Sequence, residues 1–363
     1  MANPSRRSYI DWLRGVAVVS MIEWHVFDAW TLHSARDNNA WPVIKVVGGF
    51  AAPLFLFLAG VAVPMAIASY ERRGVARSQA AWKVQKRGWQ VFFLAHLFRL
   101  QSFLFNPNAK WSGLLKPDIL NILGLGLAGT SFLMGRATTA ASRRVWLLLP
   151  ALIIVAFTPL SRMWWWPTLL HPRLEAYIRP VGNFGVFALF PWAAYVPLGA
   201  YIGSVLLDAA DDAAERKSLV RLAISGAIAT AVGTAVSLAA PLLGVALWTD
   251  HAAVFAIKSG CMVMALGAAR WLTSLQPASV LEPMLLLGRT SLFVYWVHVE
   301  IAYGVVSYPL HYALPLVWST AGFVAVLLVM YKAAGWWTAI PATPWIPDYL
   351  RSKKFEVQSS RVR

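Results

Sequence analysis

Residues 43–69 read Val-Ile-Lys-Val-Val-Gly-Gly-Phe-Ala-Ala-Pro-Leu-Phe-Leu-Phe-Leu-Ala-Gly-Val-Ala-Val-Pro-Met-Ala-Ile-Ala-Ser, with no charge after Lys45. Hydrocarbon about 30 Å thick is crossed by a helix of about 20 apolar residues, and this run is long enough. Lipid offers no partner to backbone N–H and C=O groups, so the run must pair them within itself as a helix. Comparable runs recur along the chain, at about 9–32, 43–69, 88–105, 119–135, 145–160, 183–207, 218–240, 253–269, 283–306 and 313–331. The fold class that follows is all-α, a polytopic transmembrane bundle of about ten helices.

Composition supports this from a second direction. Of the 363 residues 58% are hydrophobic and only 13% charged, and the mean hydropathy is +0.57. A water-soluble fold could not hide that much apolar surface. The formal net charge of +16 raises nucleic acid as a partner until the cations are located. They fall in alternate loops: Arg72, Arg73, Arg77, Lys83, Lys86 and Arg87 crowd one connection, and Arg351, Lys353, Lys354, Arg361 and Arg363 the tail. Such asymmetry places these segments and both termini in the cytoplasm. The basic balance is therefore topological, with membrane lipid as the expected partner and no nucleic acid. Residues 1–335 read as one membrane domain and 336–363 as a basic cytoplasmic tail. Arg6 and Arg7 precede an apolar stretch, but Asp11, Arg14, Glu23 and His25 interrupt it, so it reads as a retained first helix rather than a signal peptide. The single cysteine, Cys261, excludes a disulfide within one chain and a cysteine-based metal cluster.

Ionisable side chains at membrane depth are costly and are kept where they face a bundle interior or a wet cavity. At about 100° per residue Asp11, Arg14, His25 and Asp28 fall on one face of the first helix, with Glu23 nearly opposite. The rise from Asp11 to Asp28 is about 25 Å, so one helix offers polar groups near both membrane faces. An Asp11–Arg14 ion pair and a histidine satisfied by Asp28 would account for the same residues structurally. An imidazole beside a carboxylate also suits proton transfer. In the ninth span Ser291, Tyr295 and His298 share a face, and Arg289 lies at the depth of Arg14, where two guanidiniums suit an anion or where Arg289 bridges to Asp11.

Lys116-Pro117-Asp118-Ile119-Leu120-Asn121 opens the fourth span, with Asp118 placed as a helix cap; Asp118 and Asn121 are substrate-facing or structural polar groups. His96, Arg99 and Lys258 add to an outer polar cavity. No metal is expected, since the histidines lack ligand spacing. Gly124, Gly126 and Gly129 match the glycine fingerprint of dinucleotide sites, but inside an apolar span they read as helix packing. Gly226, Thr230, Gly233 and Ser237 read the same way. Trp164 to Trp166, with Trp336 and Trp337, read as interfacial belts.

Tyr9-Ile10-Asp11-Trp12-Leu13-Arg14-Gly15-Val16-Ala17, Met21-Ile22 and Ala51-Ala52-Pro53-Leu54-Phe55-Leu56-Phe57-Leu58-Ala59-Gly60 resemble the heparan-alpha-glucosaminide N-acetyltransferase-like family of membrane proteins. Asp118 to Gly124, Phe190-Pro191-Trp192 and Leu287 to His298 look like its later motifs. The chain is also similar to the wider transmembrane acyltransferase group, including the acyltransferase-3 enzymes. The resemblance implies an acyl-CoA donor, acetyl-CoA above all, bound from the cytoplasm, and transfer to a hydroxyl or amine of a small-molecule or glycan acceptor at the outer side. It implies a donor-holding role for Arg14 and a catalytic histidine, serving as base or as acyl carrier, that falls on His25 or His33; the reading of the helix faces adds Asp11 and Arg289 on the donor side and Asp28 beside His25. It further implies a cell-membrane location, the inner membrane of a prokaryote; homo-oligomerisation stays open. The rival reading from composition and stripe alone is a secondary transporter using an intramembrane polar relay. A non-catalytic membrane scaffold is a third.

Overall fold

The computed structural model describes residues 7–105, 110–182, 186–242 and 251–340. The chain is all-helical, 85% helix and without strands among the described residues. In order, the helices are α1 (Ser8–Trp30), α2 (Trp41–Glu71), α3 (Arg77–Phe105), α4 (Ile119–Arg136), α5 (Ala140–Met163), α6 (Pro172–Ile178), α7 (Leu189–Trp192), α8 (Tyr195–Leu207), α9 (Asp212–Leu242), α10 (Ala252–Leu275), α11 (Ala278–Arg289), α12 (Ser291–Tyr303) and α13 (Leu316–Ala339). Among the described residues seven helices are long and apolar enough to cross a membrane: α2, α4, α5, the α7–α8 pair, α9, α10 and α13. An eighth is added when α11 and α12 count as one broken span. The protein is a multi-pass membrane protein.

The helices form two compact units, one of residues 1–48 with 273–363 and the other of residues 49–272. In the first, α1 is the hub. Its N-terminal half lies against α11 at glycines on both sides: a Cβ on Gly15 would overlap the Met284 carbonyl, and one on Gly288 the carbonyl of Asp11. The four-residue spacing is the same on both helices, so two backbones touch over one turn. At the other end Trp30 donates from Nε1 to the Ala302 carbonyl at 2.9 Å, and the buried Thr31 hydroxyl donates to Ser319 at 2.8 Å. The carbonyls that a helix end leaves orphaned are taken up as well. Tyr312 and Leu314 donate from their N–H groups to Ala29 and Trp30, and Arg36 donates to the Asp28 and Thr31 carbonyls.

In the second unit the glycine fingerprint of α4 is packing. A Cβ on Gly124 would meet the backbone of Gly88 and Phe92, and one on Gly126 the Val196 side chain. Gly226 and Gly233 of α9 likewise meet the backbone of Gly260 and Ala253 in α10. Val63, Ile67, Val84, Met134 and Leu147 pack together as an apolar cluster. The tryptophans expected at the headgroups are exposed at Trp165, Trp166 and Trp336.

Two expected spans differ in form. The ninth, at 283–306, is not one helix: α11 and α12 meet at 75°. Thr290 leaves helical geometry at φ −102° and ψ 14°, and its hydroxyl donates back to the Leu286 carbonyl at 2.8 Å, closing α11 before Ser291 begins the next helix. In the sixth, at 183–207, the helix interrupts at Phe190, whose peptide bond to Pro191 is cis. Residues 183–185 of that span and 341–363 of the basic tail lie outside the described residues. Helix α3 starts earlier than expected, so Arg77, Lys83, Lys86 and Arg87 sit on its first turns rather than in a loop.

Candidate active site

One turn from the C-terminal end of α1, His25 meets His298 of α12. Their Nδ1 and Nε2 atoms are 2.8 Å apart, and the rings lie within 13° of parallel with centroids 5.0 Å apart, the arrangement of an in-plane N–H···N bond. His298 is fully buried, and its Nδ1 is 2.6 Å from the Val294 carbonyl. A carbonyl can only accept, so His298 carries its proton on Nδ1. In the neutral pair His298 Nε2 must then accept, and His25 must donate from Nδ1. That leaves the lone pair on His25 Nε2 available to a proton outside the pair. The sequence proposed Asp28 as the group that orients His25; the structure gives the hydrogen bond to His298.

Asp28 has a different partner. The Tyr303 hydroxyl donates to its Oδ2 at 2.7 Å, and the Tyr303 ring stands edge-on to His25, centroids 5.5 Å apart. The four side chains His25, Asp28, His298 and Tyr303 form one constellation contributed by two helices. Tyr295 lies beside it, its ring 6.0 Å from that of His298, and Ser291 opens α12 just past the break. Tyr303 is the member that sequence reasoning missed; at about 100° per residue it lies about 140° around the helix from His298, off the face that Ser291, Tyr295 and His298 share. His33 sits apart in a short turn, exposed, with its ring 4.6 Å from that of Tyr312. It is a loop residue near the same end of α1, not a member of the pair.

Toward the other end of α1, Arg14 is ion-paired with the buried Asp11 at 3.1 Å. Arg289 pairs with Glu282 at 3.5 Å rather than with Asp11. It nonetheless follows Gly288, which rests on the Asp11 backbone, as Arg14 precedes Gly15, so both arginines flank the α1–α11 backbone contact. The Arg289 Nε is buried and has no hydrogen-bond partner among the described residues. A buried donor left open in this way suits an incoming oxyanion.

Asp118 and Asn121 belong to the second unit. Asp118 caps α4, accepting from Leu120 N–H at 3.3 Å, and takes Arg99 at 2.8 Å on its other oxygen. Asn121 is fully buried. Its Oδ1 accepts from Asp118 N–H at 2.9 Å, and its Nδ2 lies 3.2 Å from the Phe92 carbonyl and 3.3 Å from His96 Nε2. With these bonds made, Asn121 ties α3 to α4. Asn121→Ala will lower the stability of detergent-solubilised protein by about 1–3 kcal/mol, because it removes the side-chain bonds that join Phe92, His96 and the Asp118 N–H. An unchanged thermal midpoint would show that the tie carries no weight. No group of three or more metal-ligating side chains occurs among the described residues.

No curated protein matches the chain. The model of the family described as heparan-alpha-glucosaminide N-acetyltransferase, catalytic, matches residues 6–235, a stretch that holds Asp11, Arg14, His25, Asp28 and His33. With a match over more than half its length, the chain belongs to the heparan-alpha-glucosaminide N-acetyltransferase catalytic family.

Proposed function

We propose that the protein moves an acetyl group from acetyl-CoA, bound from the cytoplasmic side, to a hydroxyl or amine of a sugar or related acceptor at the outer side. The observation that carries this reading is the His25–His298 pair, whose tautomers leave His25 Nε2 with a lone pair. Helices α1 and α3, long but more charged than the other spans, cross with the rest and bring the crossings to about ten, with both termini in the cytoplasm.

The thioester donor supplies an activated acetyl group and a phosphate-rich tail. Arg289, with its open Nε, and Arg14 would hold anionic groups of that tail at the α1–α11 seam. At the far end of α1, His25 Nε2 accepts the proton of the acceptor as its oxygen or nitrogen bonds to the acetyl carbon. The C–S bond breaks, and the same proton passes from His25 to the departing thiolate, so the histidine ends as it began. His298 holds the His25 ring through Nδ1, and Tyr303 fixes Asp28 beside it, where the carboxylate stabilises the imidazolium that forms.

The test is transfer itself. Membranes containing the protein should move labelled acetyl from acetyl-CoA to an acceptor or to water, and a His25→Ala, His33→Ala double variant should not. Equal turnover by that variant would remove the histidines from the reaction. The broken span at Thr290 also suits a transporter, because discontinuous helices line many transport sites. Proteoliposomes that accumulate a substrate without any acyl-CoA would favour that reading over ours.

A further inference from the structure

A second polar cluster lies in the other unit, in the segments joining α3 to α4 and α5 to α7. Arg99 of α3 reaches Asp118 at 2.8 Å. The Tyr177 ring of α6 is 6.5 Å from that of Phe92, which in turn is 5.2 Å from that of His96, so α6 lies over the same part of α3. Arg173, one turn earlier on α6, is buried. The charges acting on Lys116 are those of Arg99 and Arg173, which repel it, and of Asp118, which attracts it. The nearby carboxylate of Glu175 is engaged by Arg179, at 2.6 and 2.8 Å, and so is spent. Arg99 Nε and the Tyr177 hydroxyl oxygen are buried here and have no hydrogen-bond partner among the described residues.

Arg99 thus pairs with Asp118, Arg99 and Arg173 both repel Lys116, and two buried donors stand open beside them. Like charges gathered at a partly buried place cost free energy unless an anion joins them. An N–H of a guanidinium and a phenolic O–H are the groups that bind a compact oxyanion with short, charge-assisted bonds. We propose that Arg99, Lys116, Arg173 and Tyr177 form a binding site for a single compact oxyanion, a carboxylate, sulfate or phosphate group. The inference does not rest on the acetyl-transfer reading, since it uses none of the residues placed in that reaction.

The electrostatics agree. Burial, and then the two guanidiniums, push the Lys116 ammonium below its ordinary range against the pull of Asp118. Burial pushes the Tyr177 phenol up to about 12, which keeps it a hydrogen-bond donor. A bound anion would reverse the first of these effects and raise the Lys116 amine toward its ordinary value.

The experiment uses the full chain in neutral detergent and measures the rate at which an amine-reactive acetic anhydride label modifies Lys116, quantified by mass spectrometry of peptides. Only the unprotonated amine reacts. Sulfate that raises its pKa by about one unit will slow labelling about tenfold relative to chloride at equal ionic strength. Arg173→Gln should abolish the sulfate protection while Lys116 remains labelled, and sulfate should raise the thermal midpoint of the wild type more than that of Lys116→Gln. Should Arg173→Gln fail to fold, Tyr177→Phe, which removes only the open hydroxyl, should weaken the protection instead. A second arm reconstitutes the protein in nanodiscs of phosphatidylcholine with or without phosphatidylglycerol: protection by the anionic lipid alone would identify a headgroup as the source, and protection by sulfate in neutral discs a soluble one. Labelling indifferent to both sulfate and anionic lipid, or protection equal in wild type and variants, would overturn the proposal.

Discussion

Replacing His25 with alanine will lower acetyl transfer by about a hundredfold to ten-thousandfold, the range over which a positioned proton acceptor acts, with little change in the thermal midpoint. Its partner His298 makes no contact with the acceptor in this reading and acts through His25. The side chain is fully buried and bonded to Val294, so alanine there removes packing as well as the orienting bond. Glutamine separates the two effects, since its amide oxygen can accept from His25 Nδ1 much as the imidazole Nε2 does. The expected order is therefore wild type, then His298→Gln, then His298→Ala, with the loss falling on kcat and not on KM. A positioning role also sets a limit: removing a group that orients a functional histidine costs about tenfold to a hundredfold, less than removing the histidine.

The single variants also decide between the two histidines that the sequence left open. His33→Ala should retain most of the activity, because His33 rests on Tyr312 in the turn beyond α1 and not in the pair. If His33→Ala loses transfer and His25→Ala keeps it, the turn and not the helix supplies the base, and the tautomer argument falls with it. Tyr303→Phe offers a third check on the same constellation. It removes only the hydroxyl that donates to Asp28, and a drop in kcat with an unchanged midpoint would place that bond in the reaction.

How much of this could be read without coordinates follows from where the physical signal sits. Long apolar runs announce helices because lipid forbids any other backbone, and each of the expected spans contains one. The polar stripe of α1 was legible because its residues share one helix and one periodicity. The pairing of His25 with His298 was not, since 273 positions separate them and nothing in either run names the other. The same holds for Tyr303, whose partner Asp28 lies on the far side of the chain. The break at Thr290 was hidden for another reason: no proline or glycine occupies the position itself, and the bend rests on a threonine hydroxyl returning to Leu286. Arg173 and Tyr177 carry no signal in sequence because they lie between two expected spans, and a cluster built from one helix and two connections has no period.

Gly15→Leu and Gly288→Leu should be among the most destructive single substitutions in the first unit. A Cβ at either position runs into a backbone carbonyl, of Met284 in the first case and Asp11 in the second. A backbone cannot turn aside as a flexible side chain can, so α1 and α11 must separate. Overpacking in a tight interior commonly costs about 1–3 kcal/mol. Here α1 carries the Asp11–Arg14 pair and His25, while α11 ends in Arg289 and continues through Thr290 into α12, the helix that holds His298. Loss should therefore reach the histidine pair even though neither glycine is near it. Detergent-solubilised variants should show a lower thermal midpoint, and the fraction that stays folded should have reduced transfer with a raised KM for acetyl-CoA, because the seam that holds the two guanidiniums has opened. Gly129→Leu is the matched control: a Cβ there meets nothing within 4 Å, so the same change of residue in a helix should leave both measurements near wild type. If Gly15→Leu behaves like Gly129→Leu, the α1–α11 contact is not what holds the first unit together.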